Sequence, residues 1–145
     1  MLLDPRAPRF AAAVTTVVLA AALITGAVPV LLAQAAVFAL AAVNPSLGPY
    51  SLVWRVLVAP RLDPPSELEP AAPVRFAQLV GLVFTLLAIV GQLTGASVPA
   101  LAATGAALAA AFLNVAFDLC LGCETYLALR RVTGRPVTAR VPVGS

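Results

Sequence analysis

The chain has 145 residues, of which 61% are hydrophobic and only 10% are charged, and its nine arginines outweigh six acids for a net charge of +3. Soluble domains average about 45–50% apolar and about 25% charged residues, so this composition excludes an ordinary soluble protein and a disordered chain. The lack of histidine excludes His-ligated haem, a histidine general base and histidine-based zinc or copper sites.

Two long stretches carry no charge, one between Arg9 and Arg55 and one between Arg75 and Asp118. A membrane-spanning helix needs about 20 apolar residues, so each stretch has room for two crossings and a turn. Gly and Pro mark turns near the middle of both stretches. The runs are continuously apolar, which favours helices over barrel strands. The sequence therefore predicts an all-α polytopic membrane protein with helices over about residues 10–26, 29–44, 75–94 and 99–119.

The arginines predict the orientation of these helices. They precede the first helix, flank the central segment and follow the last helix, whereas the two short turns carry no charge. The positive-inside rule then places both termini and the central segment in the cytoplasm, in a multi-pass protein of the inner or plasma membrane. The alternative for the first helix is a cleaved signal peptide whose basic region holds Arg6 and Arg9.

The two halves of the chain resemble each other, which disfavours the signal peptide. Residues 4–11 resemble residues 69–77, and the turn Thr-Gly-Ala-Val-Pro matches Thr-Gly-Ala-Ser-Val-Pro. Each half has two crossings, so the halves are predicted to be parallel repeats about an axis along the membrane normal. We predict one membrane domain over 1–131, with repeats at 4–61 and 69–131.

Few polar side chains interrupt the apolar runs. The aligned pair Asn44 and Asn114 is predicted to hydrogen-bond across the repeat axis. Gln34, Gln78 and Gln92 are interpreted as contacts between helices rather than as a transport path.

The segments outside the helices differ in character. Residues 50–61 contain Tyr, Trp and Arg and predict a short interfacial helix. Residues 63–70 predict an exposed linker without catalytic features. Residues 132–145 predict a loose cytoplasmic tail whose arginines can contact anionic lipid.

The one chemical motif is Cys120-Leu121-Gly122-Cys123 at the end of the last crossing. Two thiols at this spacing can act in redox or sulfur chemistry, can pack as small apolar residues, or can supply half of a metal site. The metal alternative needs a dimer or carboxylate ligands, because closed zinc or iron–sulfur sites take four ligands.

Alignment of the repeats predicts that Gly122 caps a helix over 124–131 and that Cys123 takes the place of Pro49. The helix start and Arg130 or Arg131 are expected to lower the pKa of one thiol, against Asp118 and Glu124. Position favours Cys123 as the nucleophile over Cys120. Asp118 is predicted either as a proton acceptor for Cys120 or as an interface charge without a role.

Three segments together resemble a bacterial family of small membrane proteins catalogued as domain of unknown function 4395. They are residues 4–10, residues 73–81, and Phe112-Leu113-Asn114 running into Cys120–Tyr126. The resemblance covers about residues 4–131. Genes of this family often lie beside genes for thioredoxin-like and rhodanese-type sulfurtransferase proteins, so the resemblance implies thiol or sulfur traffic at Cys120 and Cys123.

Three functions follow as hypotheses. The first is a membrane thiol-redox or sulfur-relay partner of a thioredoxin-like or sulfurtransferase protein, with catalytic residues Cys120, Cys123 and Asp118. The second is a permease for a sulfur compound with a path along Gln34, Asn44, Gln78 and Asn114. The third is a non-catalytic membrane anchor. No cofactor and no nucleic-acid partner are expected, and self-association is a further hypothesis because four Ala-rich helices make a thin core.

Overall fold

The computed structural model describes residues 1–138 and 140–143, and this part of the chain is mostly helical. Its α-helices are α1 (Arg6–Thr25), α2 (Val28–Val43), α3 (Pro49–Val53), α4 (Ala71–Leu93), α5 (Ser97–Phe117) and α6 (Leu121–Val132). Irregular helical turns join α2 to α3 at Pro45–Leu47 and continue α3 through Trp54–Val58 and Ala59–Arg61.

Three helices, α1, α4 and α5, are long and apolar enough to cross a membrane, and α2 is a shorter apolar helix of 16 residues. Large apolar side chains on these helices face outward, with exposed fractions of 70% at Val17 and 84% at Ile24. Soluble monomers rarely expose apolar surface on this scale. The outer face of the bundle therefore matches hydrocarbon rather than water.

The four predicted apolar helices are present, and their ends lie close to the expected residues. The observed starts of α1 and α4 lie four residues before the predicted ones, because polar and proline-containing segments outside the apolar runs also adopt helical structure. In the structure, Arg9 and Arg75 lie inside the helices and donate to carbonyl oxygens of neighbouring helices. An arginine near the start of one helix thus donates hydrogen bonds to carbonyl oxygens that have no partner within the last turn of another helix.

The core lies where α4 packs against α2 and α5, and where α1 packs against α5. Its fully buried side chains include Leu19, Leu31 and Ala88. Small residues let the helices approach closely: a Cβ on Gly81 would lie 2.8 Å from the ring of Phe38. Such contacts replace hydrophobic burial as the main source of helix association inside a membrane.

One end of the bundle carries a three-stranded antiparallel sheet made of β1 (Leu2–Leu3), β2 (Glu67–Pro70) and β3 (Val141–Pro142). Leu3 pairs with Glu69, and Leu68 pairs with Val141. The N-terminal, central and C-terminal segments therefore lie at the same end.

The sheet corrects two expectations. The linker expected over 63–70 contains a strand, and the tail expected to be loose over 132–145 is paired at Val141–Pro142. Residues 139, 144 and 145 of that tail lie outside the described residues. Backbone pairing between segments far apart in sequence leaves no local pattern, so strands this short were not predicted.

Candidate functional site

The two cysteines lie at the junction of α5 and α6. Asp118 ends α5 in the left-handed conformation with φ 53°, and the N–H of Leu119 then donates to the carbonyl oxygen of Leu113 at 3.3 Å. Asp tolerates this conformation better than most residues. The chain turns here, so Cys120 occupies the N-cap of α6.

Cys120 and Cys123 form a disulfide, with their Cα atoms 5.2 Å apart. The backbone N–H of Cys123 donates to Sγ of Cys120 at 3.3 Å. The prediction that Gly122 caps the helix is therefore wrong: the cap is Cys120, and α6 begins at Leu121. The alignment failed because the second half lacks a turn corresponding to Pro45–Leu47.

Gly122 has a different role, which is close packing. A Cβ built on this residue would lie 2.6 Å from both Cα and Cβ of Ala77 on α4. No real side chain tolerates that distance, so only glycine lets the first turn of α6 lie against α4. This contact fixes the cysteine pair on the most central helix of the bundle.

A cavity of about 80 Å³ lies beside the disulfide, and both cysteines line it together with four charged side chains, so it is called the polar cavity below. Strands β2 and β3 bring Glu69 and Arg140 to the same cavity, although neither lies near the cysteines in sequence. Arg140 donates to Asp118 at 2.8 Å and lies 3.7 Å from the carboxylate of Glu67. The sheet thus assembles charge around the sulfur atoms.

Glu69 is a titratable residue of this cavity that the sequence analysis did not single out. Burial raises its pKa to about 7, against the opposing charge of Arg140 and with support from the negative charges of Asp118 and Asp4. A carboxyl group that titrates near neutral pH can accept and release protons there. The signal was present in the repeat, because Glu69-Pro70 aligns with Asp4-Pro5.

Asp4 provides the contrast that explains the shift. Burial alone would raise its pKa too, but hydrogen bonds from the side chain and backbone of Arg6 outweigh burial and lower the pKa. The position equivalent to Arg6 in the second half is Ala71. Glu69 therefore lacks the adjacent cation that keeps Asp4 ionised.

The predicted approach of Arg130 or Arg131 to a cysteine sulfur is not observed. Arg130 and Arg131 lie in the last turn of α6, about 15 Å along the helix from Cys120 at 1.5 Å per residue, so they do not neighbour the sulfur atoms. The arginine that shares a cavity with the cysteines is Arg140. Asp118, predicted as a proton acceptor for Cys120 or as an interface charge, lines this cavity with its carboxylate paired to Arg140.

An apolar cavity of about 350 Å³ also borders the disulfide, and it is lined mainly by α1, α4, α5 and the start of α6. Cys120 and Cys123 line it, together with the side chains of Gln78 and Asn114. The cysteine pair thus borders both the charged cavity and the apolar one, and Asn114 also lines both.

Two other polar residues predicted between the helices, Gln34 and Asn44, line neither of the cavities beside the cysteines. Gln34 is buried and bridges the hydroxyls of Thr15 and Tyr50, as expected of a contact between helices. Asn44 accepts from the backbone N–H of Ser46, so its predicted bond across the axis to Asn114 is not formed. Within residues 1–138 and 140–143, no group of three or more Cys, Asp or Glu side chains is placed to hold a metal ion.

The family model for a domain of unknown function, DUF4395, matches residues 3–131 of the chain. The chain belongs to the DUF4395 family. The match spans all six helices and both cysteines of this DUF4395 chain. No curated protein and no solved structure is significantly similar to it.

Proposed function

We propose that this DUF4395 protein is a four-pass membrane protein that exchanges electrons or sulfur with a soluble protein through Cys120 and Cys123. The observation that carries the proposal is the position of the disulfide: it caps a helix beside a charged cavity at the arginine-rich end of an apolar bundle. A helix N-terminus stabilises a thiolate, and the thiolate is the reactive form of cysteine.

The proposed membrane arrangement uses α1, α2, α4 and α5 as crossings, with thinning of the bilayer around the short α2. It is supported by the shared sheet, which holds the N-terminal, central and C-terminal segments at one end. All nine arginines lie near the starts of α1 and α4 or in segments that follow α2 and α5. The positive-inside rule assigns that end to the cytoplasm.

The proposed two parallel repeats are supported by two matched pairs of contacts. Phe10 packs on Trp54 and Phe76 packs on Tyr126, each with ring centroids 5.7 Å apart and planes at 46°. Arg9 donates to the carbonyl of Val115 near the end of α5, and Arg75 donates to the carbonyl of Ala42 near the end of α2. Exchange of the two halves carries each contact onto the other.

In the proposed reaction, the thiolate of Cys120 attacks a disulfide of the partner protein and one partner thiolate leaves. Glu69 accepts the proton of Cys123, whose thiolate then attacks Sγ of Cys120 and releases the second partner thiolate. In this direction the chain is oxidised to the disulfide and the partner is reduced to the dithiol. The same steps in reverse order let a partner dithiol reduce the Cys120–Cys123 disulfide, with the partner oxidised to its own disulfide. Cys120 is assigned as the attacking residue, instead of Cys123, because its sulfur accepts the helix N–H.

A redox titration tests the exchange. The purified protein would be equilibrated in glutathione or dithiothreitol buffers, and free thiols counted by a maleimide gel shift. We expect a reversible two-electron transition between about −200 and −320 mV, the range of cytosolic thiol couples. Thiols that stay reduced at every potential would overturn the proposal and leave a non-catalytic anchor.

Single-cysteine variants test the assignment of the nucleophile. Cys123→Ser retains Cys120, and Cys120→Ser retains Cys123. The rate of iodoacetamide alkylation against pH gives the pKa of each remaining thiol. We expect a pKa below the usual 8.5 for Cys120 and a higher one for Cys123. The reverse order would restore Cys123 as the attacking residue.

A further inference from the structure

The apolar cavity beside the disulfide has the size and lining of a small-molecule site. Its volume of about 350 Å³ falls in the range of ligand pockets, which are mostly apolar with a few polar groups. Along α4 its wall runs from Val74 to Phe84, a length of about 15 Å at 1.5 Å per residue. Ala106 lines the cavity and is itself exposed, so the cavity opens on the apolar flank of the bundle.

Two amide side chains in this cavity have no partner. Gln78 and Asn114 both line it, and neither side chain makes a hydrogen bond to another residue in the described part of the chain. Both side chains are half-buried, so their N–H groups are accessible and can donate to a bound acceptor. An acyl chain of a lipid offers no acceptor, whereas a ligand with carbonyl oxygens satisfies both amides.

The chemistry at the cavity wall restricts the ligand further. Cys120 and Cys123 line the cavity, and a dithiol gives up two electrons when it closes to a disulfide. The matching ligand is apolar, carries two carbonyl oxygens and accepts two electrons. We propose that the apolar cavity binds a membrane quinone, which reoxidises the Cys120–Cys123 dithiol. This inference rests on the proposed thiol-exchange function, in the direction in which a partner dithiol reduces the Cys120–Cys123 disulfide, and it adds the electron acceptor for that direction.

The step balances in atoms and electrons. The two thiols lose two electrons and two protons and form the S–S bond, and the quinone takes up both electrons and both protons to become the quinol. The amides of Gln78 and Asn114 hold the quinone oxygens, and both cysteines line the same cavity.

The test is oxidation of the reduced protein by decylubiquinone, whose fully substituted ring prevents addition of the thiols. Disulfide formation is followed by maleimide gel shift and quinol formation by absorbance. We expect one quinol per disulfide, at a rate at least tenfold above that of reduced glutathione under the same conditions. Oxidation no faster than that of glutathione would overturn the inference.

Ala110→Phe is the informative variant, because Ala110 lines the cavity and a phenyl ring fills it. Its matched control is Ala109→Phe, at an exposed position outside the cavity lining. We expect Ala110→Phe to slow quinone reduction at least tenfold and Ala109→Phe to leave it unchanged. Equal rates in the two variants would contradict the inference.

A second variant keeps the test decisive if Ala110→Phe does not fold. Replacement of both Gln78 and Asn114 by Leu removes no hydrogen bond within the described residues, so we expect folding to be retained and the KM for decylubiquinone to rise about tenfold. Binding is also measured without electron transfer. In the variant with both cysteines changed to Ser, decylubiquinone should raise the melting temperature. No rise, or no change in KM, would contradict the inference.

The titration in glutathione buffers separates this inference from the proposed function. A reversible thiol transition with no response to quinone would overturn the quinone site alone. The absence of any thiol transition would overturn both.

Discussion

The first and second halves of the chain place a short helix against a long one through an aromatic pair, Phe10 with Trp54 and Phe76 with Tyr126. Each half also borders a large cavity, of about 330 Å³ in the first and about 350 Å³ in the second. The first-half cavity is lined by Tyr50 and Trp54, and the second-half cavity by the two cysteines. The scaffold is shared, and the proposed chemistry is confined to the second half.

The difference at the short helices explains how one half can carry chemistry. In the first half, Asn44 caps the turn at Pro45–Leu47, and Pro49 begins α3. In the second half, Asp118 turns the chain directly into the N-cap at Cys120. The segment before the short helix carries no cysteine in the first half. Variants there therefore serve as controls for variants of the second half.

The largest expected effect comes from the aromatic pair of the first half. Trp54 is only 6% exposed and also lies under the guanidinium of Arg6 at 5.9 Å. Trp54→Ala should lower the free energy of unfolding by about 3–5 kcal/mol. Tyr126 is partly exposed, so Tyr126→Ala should cost less, about 1.5–3 kcal/mol. Thermal unfolding in detergent, followed by circular dichroism, measures both, and equal losses would contradict the contrast.

The second prediction compares the glycines of the two corners. Gly122→Ala places a Cβ 2.6 Å from the backbone of Ala77 and should cost about 1–3 kcal/mol as α6 shifts. Gly48→Ala meets its nearest atom at 3.4 Å, so only the preference at a helix cap is affected, by less than about 1 kcal/mol. Unfolding temperatures of the two variants under the same conditions test this order. A greater loss at Gly48 would overturn it.

The third prediction concerns pH and the two aligned acids. The pKa of Glu69 in the folded chain, about 7, lies above its usual value of 4.5. Between those values the folded chain binds a proton that the unfolded chain has released, so stability falls as pH rises from 4.5 to 7 and is then constant. Glu69→Gln should therefore match the parent near pH 4.5 and be more stable above pH 7. The gain should be smaller than the Gly122 effect, because water screens a partly exposed carboxylate.

Asp4→Asn is the control with the opposite sign. The pKa of Asp4 is lowered in the folded chain, so its contribution is present above its unfolded value of 3.8 and is lost as the pH falls through the folded value. Asp4→Asn should thus destabilise the protein at pH 7. Melting temperatures from pH 4 to 8 measure both variants, and a parallel response of the two would refute the assigned environments.

The smallest effect is expected at Asp118. Its ion pair with Arg140 is 41% exposed on both sides, and such pairs contribute about 0–1 kcal/mol. Asn also suits the left-handed conformation, so Asp118→Asn should change stability little. A loss above 2 kcal/mol would mean that the pair holds the sheet to α5. If Asp118, rather than Glu69, accepts the thiol proton, Asp118→Asn should slow thiol exchange more than Glu69→Gln does.

The apolar helices could be predicted because continuous hydropathy over about 20 residues is a local property of the sequence. The cysteine pair could be found from its spacing, and the sequence correctly placed it at a helix start. The residues around it could not be found in this way. Glu69 and Arg140 reach the cavity through strands of four and two residues that pair across long separations in sequence.

The error at Gly122 has a similar origin. Repeat alignment transfers residue identities but not turn lengths, and the two halves differ between the end of the long helix and the start of the short one. Gly122 was assigned a capping role because it aligns with Gly48, whereas its close contact with Ala77 is what requires a glycine at this position. Contacts between elements decide such roles, and a single sequence does not contain them.

The three-stranded sheet also sets the order in which the molecule can be completed during translation. Strand β3 follows every helix in the chain, so Arg140 leaves the ribosome after both helix pairs are available for insertion. Until β3 pairs with β2, Glu69 has no counter-charge from Arg140 and the charged side of the sulfur pair is open. The polar cavity is therefore completed last. The helices of a nascent chain can insert into the membrane before Arg140 lies at the cavity that the cysteines line.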